Sequence, residues 1–284
     1  HIRPSLPKPR CQRKPRPERN KSFLRSSSPP NSKASRVLLA GLGKADAVNA
    51  ARAENLGAHV VARLLNVETS VTFAIEPPKR AKISASEFAA HVAFGAELRS
   101  YRFDTYRANS KDDPVTLTAI TLATSAVPAA RKAWTTLGAL SQGISWARDL
   151  VNEPPNVLYP EEFANRAKTT LTKLGVKVEI LDVPAMQKLG MNTLLCVGQG
   201  SAFPSRMVVM QWNGTPKDKK NGPLAFIGKG VCFDTGGLSL KPPASMVGMK
   251  GDMAGAATVV GLMQAFALRK ARVNAVGVIG LVEN

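Results

Sequence analysis

From residue 36 onward, short apolar or β-branched runs alternate with longer stretches of helical spacing, and this alternation is what most constrains the fold. Strands separated by helices predict a mainly parallel sheet that is covered by helices. The predicted strands are 36–40, 69–75, 114–121, 176–181, 193–197, 206–212, 224–227 and 273–282. The predicted helices are 47–65, 84–98, 129–150, 160–174, 184–189 and 253–268. The chain is therefore predicted to be an α/β protein that binds ligands beyond the carboxyl ends of its strands.

The sequence Asn-Glu-Pro-Pro-Asn at 152–156 interrupts this alternation and predicts a domain boundary, because the residue before a proline disfavours helix. We expect two α/β domains: residues 36–128, followed by a linking helix over 129–151, and residues 152–284, which hold the mainly parallel sheet. Residues 1–35 are rich in Pro, Arg, Lys and Ser, so they bury too little surface to offset the entropy of ordering. They are predicted to be a disordered basic tail.

The net charge of +19 is unevenly distributed. Residues 1–36 contain eleven Lys or Arg and a single acidic residue, Glu18, so about half of the net charge belongs to this tail. A basic segment of this kind predicts a nucleic-acid partner whose binding weakens as salt rises. The Arg- and Ser-rich tail also has the character of a targeting peptide, although its prolines disfavour the amphipathic helix that such a peptide needs.

The three cysteines, Cys11, Cys196 and Cys232, are odd in number and have no CxxC spacing. This pattern indicates neither a disulfide framework nor a structural zinc site, and it favours a reducing compartment. The sequence has no uninterrupted apolar run near the roughly 18 residues that span a membrane, so we expect no membrane partner. It also lacks a GxSxG motif, which argues against a serine hydrolase, and His59 and His91 lack HExxH spacing, which predicts packing or surface roles for them.

Four charged residues, Lys229, Asp234, Lys241 and Asp252, stand in the otherwise apolar and glycine-rich stretch 224–257. Buried charges without partners cost more free energy than folding supplies, and a metal ion is the simplest shared partner. The Thr-Gly-Gly sequence after Asp234 predicts a sharp turn, and Asp252 is predicted to open a helix, whose N-terminus favours negative charge.

The two lysines allow two interpretations. A lysine binds a metal ion only as the neutral amine, which burial and neighbouring cations favour by lowering its pKa, and this predicts Lys229 as a ligand. Lys241 would then keep its charge and face the oxyanion that develops on an attacked carbonyl. Alternatively, the two lysines form buried ion pairs with Asp234 and Asp252. The spacing alone leaves both interpretations open.

The sequences GKGVCFDTGGLSLKP at 228–242 and MKGDMAGAA at 249–257 closely resemble the signature of the leucyl aminopeptidase family, the M17 cytosolic metallopeptidases. Weaker likeness extends through RVLLAGLGK at 36–44, LRSYRFDTY at 98–106 and ARDLVNEPPNVLYPEEFA at 147–164. The resemblance implies a cytoplasmic homohexamer that releases N-terminal residues, often Leu, from peptide substrates. It also implies a first domain of macro-like fold and a second domain that carries the metallopeptidase site.

By position, the resemblance also assigns roles to individual residues. Asp234 matches a carboxylate that bridges two divalent metal ions, Mn or Zn, and Lys229 and Asp252 match ligands of one of them. Lys241 matches the catalytic lysine, and Met249 matches a wall of the pocket for the first side chain of the substrate. Lys229, Asp234, Lys241 and Met249 are therefore all expected to lie at the bound substrate.

The family's remaining ligands lie in a segment that resembles NTDAEGRL, and these 284 residues contain no such segment. We therefore expect a fragment of an aminopeptidase that is inactive by itself. Two alternatives are a degenerate, non-catalytic copy of the enzyme and a nucleic-acid-binding protein that acts through its basic tail.

Overall fold

The computed structural model describes residues 23–27, 36–107, 115–215 and 222–284. Most of the predicted disordered tail therefore lies outside the described residues. The exception is Phe23–Ser27, which forms strand β1 and pairs antiparallel with β2, Arg36–Ala40. The prediction of disorder is wrong for these five residues, because β2 offers unpaired backbone N–H and C=O groups that a neighbouring strand satisfies.

The first domain packs two helices against a parallel pair of strands. The helices are α1 (Ala50–Leu64) and α2 (Ala85–Ser100), and the strands are β3 (Ser70–Ala74) and β4 (Ala119–Ala123). Val60, Phe73 and Phe88 belong to their shared core. The capping box predicted at Ser84 is confirmed, because its hydroxyl accepts the N–H of Glu87 and the Glu87 carboxylate accepts the N–H of Ser84.

A single long helix, α3 (Val127–Asn152), connects the domains and packs against both α2 and α8. It begins two residues earlier and ends two residues later than the predicted helix over 129–150. Its crossing with α8 is close: a Cβ at Gly143 would lie 2.4 Å from the carbonyl oxygen of Gly261. This contact fixes the end of α3 beside the second domain.

The second domain contains a four-stranded sheet with the strand order β5-β6-β8-β7. Its strands are β5 (Lys177–Leu181), β6 (Arg206–Asn213), β7 (Leu224–Val231) and β8 (Asn274–Val282). Its helices are α4 (Pro160–Lys173), α5 (Val183–Lys188), α6 (Asn192–Gly198), α7 (Pro243–Met246) and α8 (Ala254–Leu268). Buried side chains of α4, α8 and the sheet, among them Phe163, Met263 and Ile279, form the core.

The α/β class is confirmed, but the sheet is mixed rather than mainly parallel. β6 is antiparallel to both β5 and β8, whereas β7 and β8 are parallel. The connections explain this difference. Residues 214–223 between β6 and β7 are fewer than a parallel crossover needs. The two short helices after β5 stay at one end of the sheet, since Leu181 at the end of β5 lies opposite Met207 near the start of β6.

The predicted strand over 193–197 is wrong, because these residues belong to helix α6. A short apolar run such as Thr-Leu-Leu-Cys-Val has no periodicity that separates strand from helix. In the structure, α6 covers β8: a Cβ at Gly280 would lie 2.6 Å from the side chain of Leu194. Residues 193–197 therefore pack on the sheet through Leu194 and are not a strand of the sheet.

Among the described residues, one stretch, Pro243–Leu268, is long and apolar enough by length and composition to cross a membrane. Lys250 and Asp252 interrupt this stretch. The structure divides it into α7, a 3-10 turn at Met249–Gly251 and α8, and half of its most apolar window is buried inside the protein. α8 is therefore a core helix of the second domain.

Candidate active site

Strand β7 carries Lys229, and its glycines allow α8 to pack directly on its backbone. Gly228 and Gly230 are buried, whereas residues 225, 227 and 229 are exposed. A Cβ at Gly228 would lie 2.7 Å from the Cα of Ala256, which is closer than a side chain tolerates. The first turn of α8 is therefore held against the end of β7, and the residues before α8 lie beside Lys229.

Lys229 forms an ion pair with Asp252 through its Nζ atom and the Oδ2 atom of the carboxylate. The side chain of Lys229 is 59% exposed, so the predicted burial of this lysine is wrong. β7 is the last strand of the described sheet, and its outward-facing residues meet solvent. β7 also extends to Val231, so Lys229 lies within the strand and not beyond its end.

Asp252 lies just before α8 and not at its N-cap. It follows the 3-10 turn Met249–Gly251, donates its N–H to the carbonyl oxygen of Met249 at 3.3 Å, and precedes the N-cap residue Met253. The side chain of Met253 makes no capping hydrogen bond to the first turn of α8. The sequence pattern predicts that Asp252 opens the helix. In the structure, the position of Asp252 is set by the ion pair with Lys229 and by the 3-10 turn before it.

Asp234 follows β7 and accepts hydrogen bonds at both carboxylate oxygens. Oδ2 lies 2.7 Å from Nζ of Lys241, while Oδ1 accepts from the N–H of Gly236 and from Nδ2 of Asn284, both at 2.9 Å. The hydrogen bond from Lys241, aided by these two donors, lowers the pKa of Asp234 to about 2 although partial burial opposes it. Asp234 is therefore fully ionised at neutral pH.

The loop after Asp234 makes the predicted sharp turn, since Gly236 and Gly237 have φ values of 94° and 63°. This turn returns Lys241 to the start of the loop, where its N–H donates to the carbonyl oxygen of Thr235 at 2.8 Å. The ammonium group also lies 3.3 Å from the carbonyl oxygen of Asp234. Lys241 is thus bound at two points and keeps a partly exposed side chain.

The structure therefore joins the four charged residues in two ion pairs, Lys229 with Asp252 and Lys241 with Asp234. These are the pairs of the alternative interpretation, but they are solvent-accessible and not buried. Met249 is half-buried in the 3-10 turn, three residues before Asp252. All five residues belong to β7, the loop after it and the turn that leads into α8.

The chemistry of these side chains fits a divalent cation. Two accessible carboxylates supply oxygen ligands, and a bound cation would replace the lysine charges that balance them now. The described residues contain no group of three or more His, Cys, Asp or Glu side chains that is placed to hold a metal ion. That Lys229, Asp234 and Asp252 hold a metal ion remains a prediction.

Sequence models of known families match two parts of the chain. The sequence model of the catalytic domain of the cytosol aminopeptidase family matches residues 145–284, and the model of its N-terminal domain matches residues 18–110. The chain belongs to the cytosol aminopeptidase family. The two matched ranges fall on either side of most of α3. The exact bounds 36–128, 129–151 and 152–284 remain predictions.

Individual relatives support the same assignment. A probable cytosol aminopeptidase from Afipia carboxidovorans is 53% identical over 264 residues, which are 93% of this chain and 52% of that protein. The bottromycin maturation enzyme BotP in complex with Mn is similar in structure, with a TM-score of 0.79 and 32% identity over 94% of this chain and 54% of that one. A mutant of tomato leucine aminopeptidase has a TM-score of 0.75 at 26% identity, and the match covers 93% of this chain and 51% of that one. The chain spans about half the length of the curated relatives it matches.

The sequence patterns do not predict two contacts near the site, one made by Asn284 and one made by Lys250. Asn284 donates to Asp234, a contact that depends on the parallel pairing of β7 with β8. Lys250 donates to the carbonyl oxygen of Asn152 at 2.6 Å, a contact between residues 98 positions apart. The chemical type of these residues carries no local signal for either contact, so only the tertiary structure reveals them.

Proposed function

We propose that the protein is a metal-dependent aminopeptidase that removes N-terminal residues, preferably Leu, from peptides. The observation that carries this proposal is the pair of accessible ion pairs, Lys229 with Asp252 and Lys241 with Asp234, in a chain of the cytosol aminopeptidase family. Peptide substrates fit the names of its relatives. The Mn named with BotP supports a divalent metal, and we propose two ions, Mn or Zn, per subunit.

In this proposal, Lys229, Asp234 and Asp252 would hold the metal, and the Asp234 carboxylate would be a ligand of both ions. When bound, divalent ions would activate water and polarise the scissile carbonyl. Asp234 suits a bridging role because its pKa of about 2 keeps it negatively charged at neutral pH. Its present hydrogen bonds from Gly236, Lys241 and Asn284 fix the orientation of the carboxylate.

Lys241 is the proposed catalytic residue. Its ammonium group is positioned in advance by the carboxylate and the carbonyl oxygen of Asp234, and its side chain remains partly exposed. A fixed positive charge at this place would stabilise the oxyanion that develops as the peptide carbonyl is attacked. Met249 would supply an apolar wall for the first side chain of the substrate, and Lys229, Asp234 and Lys241 would contact the substrate around its reacting end.

For the whole protein we propose a cytoplasmic homohexamer, and for the 284-residue chain alone we propose negligible activity. The reason is the number of ligands. If Asp234 is a ligand of both ions and Lys229 and Asp252 bind one of them, these three residues give the second ion a single protein ligand. Measurable chelator-sensitive turnover by the isolated 284-residue chain would contradict this part of the proposal.

The test is hydrolysis of Leu-Gly and leucine p-nitroanilide by the whole protein before and after treatment with EDTA. We expect EDTA to abolish hydrolysis and Mn²⁺ or Zn²⁺ to restore it. Lys241→Met should lower kcat by about 10²–10³, the usual cost of removing one oxyanion donor, without loss of metal binding. The control is Lys173→Met, which changes an exposed lysine at the end of α4. EDTA-resistant hydrolysis, or wild-type kcat for Lys241→Met, would refute the proposal.

A further inference from the structure

The segment that follows α2 is bound tightly to the last turn of α3. The hydroxyl of Tyr101 donates to Oδ1 of Asp149 at 2.8 Å and accepts from Nδ2 of Asn152 at 3.2 Å. The guanidinium of Arg148 lies 3.8 Å from the centre of the Tyr101 ring and donates to the carbonyl oxygen of Leu98 at 3.0 Å. The first domain therefore holds α3 at the end that reaches the second domain.

A second contact strengthens this attachment. The hydroxyl of Tyr106 donates to Oε2 of Glu153 at 2.7 Å, and Glu153 is buried beside Arg166 of α4 at 3.4 Å. Residues 98–106 thus bind the end of α3 at two separate points. The bonds raise the cost of moving Asn152 relative to the first domain.

Lys250 joins this same helix end to the proposed metal site. Its Nζ donates to the carbonyl oxygen of Asn152 at 2.6 Å. Carbonyls in the last turn of a helix have no partner within the helix and carry a partial negative charge, so a lysine there is bound favourably. Val151 lies directly beside Gly251, with the side chain 3.9 Å from where a Cβ would stand.

Asp252 comes two residues after Lys250, in the backbone that this contact holds. The 3-10 turn Met249–Gly251 is closed by hydrogen bonds from Gly251 to Gly248 and from Asp252 to Met249. The N-cap residue Met253 makes no capping hydrogen bond with its side chain, and Lys250 ties this turn to the end of α3 while Lys229 pairs with the Asp252 carboxylate. Movement of Lys250 would therefore move the Asp252 carboxylate relative to Lys229.

We propose that Lys250 is a positioning residue for Asp252, and that Tyr101 acts through Asn152 and Lys250 so that metal affinity depends on the first domain. This inference rests on the proposed function, in which Asp252 is a metal ligand. Substitution of groups that orient metal ligands typically lowers metal affinity by about 10- to 100-fold, and we expect a loss in this range for Lys250→Met.

The test is Mn²⁺ binding by the metal-depleted whole protein, measured by isothermal titration calorimetry. Lys250→Arg keeps a cation that can donate to the Asn152 carbonyl, so it should recover most of the affinity that Lys250→Met loses. Lys173→Met should bind Mn²⁺ like the wild type, because it removes an exposed lysine on α4. Urea unfolding of the metal-free variants separates affinity from stability, since a merely structural lysine would lower the unfolding free energy and leave the affinity of the folded protein unchanged.

Tyr101→Phe tests the contribution of the first domain. If Tyr101 acts through Lys250, the double variant Tyr101→Phe/Lys250→Met should bind Mn²⁺ within about twofold of Lys250→Met alone, because coupled residues are not additive. Tyr101→Phe alone should bind Mn²⁺ more weakly than the wild type. Wild-type affinity for Lys250→Met would overturn the whole inference, and wild-type affinity for Tyr101→Phe, or fully additive losses, would overturn the role of Tyr101. Absence of Mn²⁺ and Zn²⁺ binding by the wild type would instead overturn the proposed function together with this inference.

Discussion

Substitution of Gly228 by alanine tests whether the contact between β7 and α8 sets the geometry of the site. The new Cβ would lie 2.7 Å from both the Cα of Ala256 and the carbonyl oxygen of Gly255. Both atoms belong to the backbone, so no side-chain rotation relieves the overlap. Since ordinary van der Waals contact begins near 3.4 Å, α8 must move away from β7 by about 0.7 Å or more.

Overpacking of this kind usually costs about 1–3 kcal/mol, and we expect Gly228→Ala to lower the free energy of unfolding by that amount. Urea denaturation followed by circular dichroism measures the change. Gly248→Ala is the matched control, because a Cβ there meets no heavy atom within 4 Å and the backbone φ is −85°. Its effect should stay within about 0.5 kcal/mol.

The same substitution should disturb the Lys229–Asp252 pair, because the residues before α8 move with the helix. Metal affinity of the whole protein should therefore fall for Gly228→Ala and remain unchanged for Gly248→Ala. If both variants unfold at the same urea concentration as the wild type, the close packing of β7 on α8 is refuted. If Gly228→Ala is destabilised but binds metal normally, the proposed link between this packing and Asp252 is refuted.

Two further predictions concern titratable side chains that are not members of the ion pairs. Cys232 is 1% exposed and burial raises its pKa to about 12, so iodoacetamide at pH 8 should modify it only in urea, whereas exposed Cys196 should react in the native protein. The labelling is measured by mass spectrometry in a Cys11→Ser background. Rapid labelling of Cys232 in the native protein would contradict its burial. Burial, together with Asp149, raises the pKa of Tyr101, so the folded state favours the neutral phenol. The stability that the neutral phenol contributes is lost as the pH rises through the pKa of Tyr101 in the folded protein. Absorbance titration at 295 nm of the wild type and Tyr101→Phe should show a phenol that ionises above pH 10, and one that ionises at or below pH 10 would contradict the contact with Asp149.

Much of the fold follows from local sequence patterns. The capping box at Ser84, the strand at Arg36–Ala40 and the helix that ends at Leu268 all appear in the structure, because hydrogen-bonding side chains and apolar periodicity act over a few residues. The direction of β6 does not follow from such patterns. The direction of β6 depends on which end of the sheet is reached by the connections before and after the strand, and hydrophobic alternation does not encode this.

The candidate site shows the same division. Lys229, Asp234, Lys241 and Asp252 stand out in the sequence because charge is rare in an apolar stretch, and the structure pairs them. The exposure of Lys229 has no local sequence signal, since it depends on the place of β7 as the last strand of the described sheet. The contact of Lys250 with Asn152 joins two distant parts of the chain and has no counterpart in local spacing.

The edge position of β7 also has a consequence for local opening. Among the described strands, β7 pairs with β8 alone, whereas β8 pairs on both sides. A strand with one partner separates at a lower free energy than a central one. In the 284-residue chain, amide hydrogens of β7 around Lys229 should therefore exchange with solvent faster than those of β8 around Ile279, so that β7 opens while β8 stays closed.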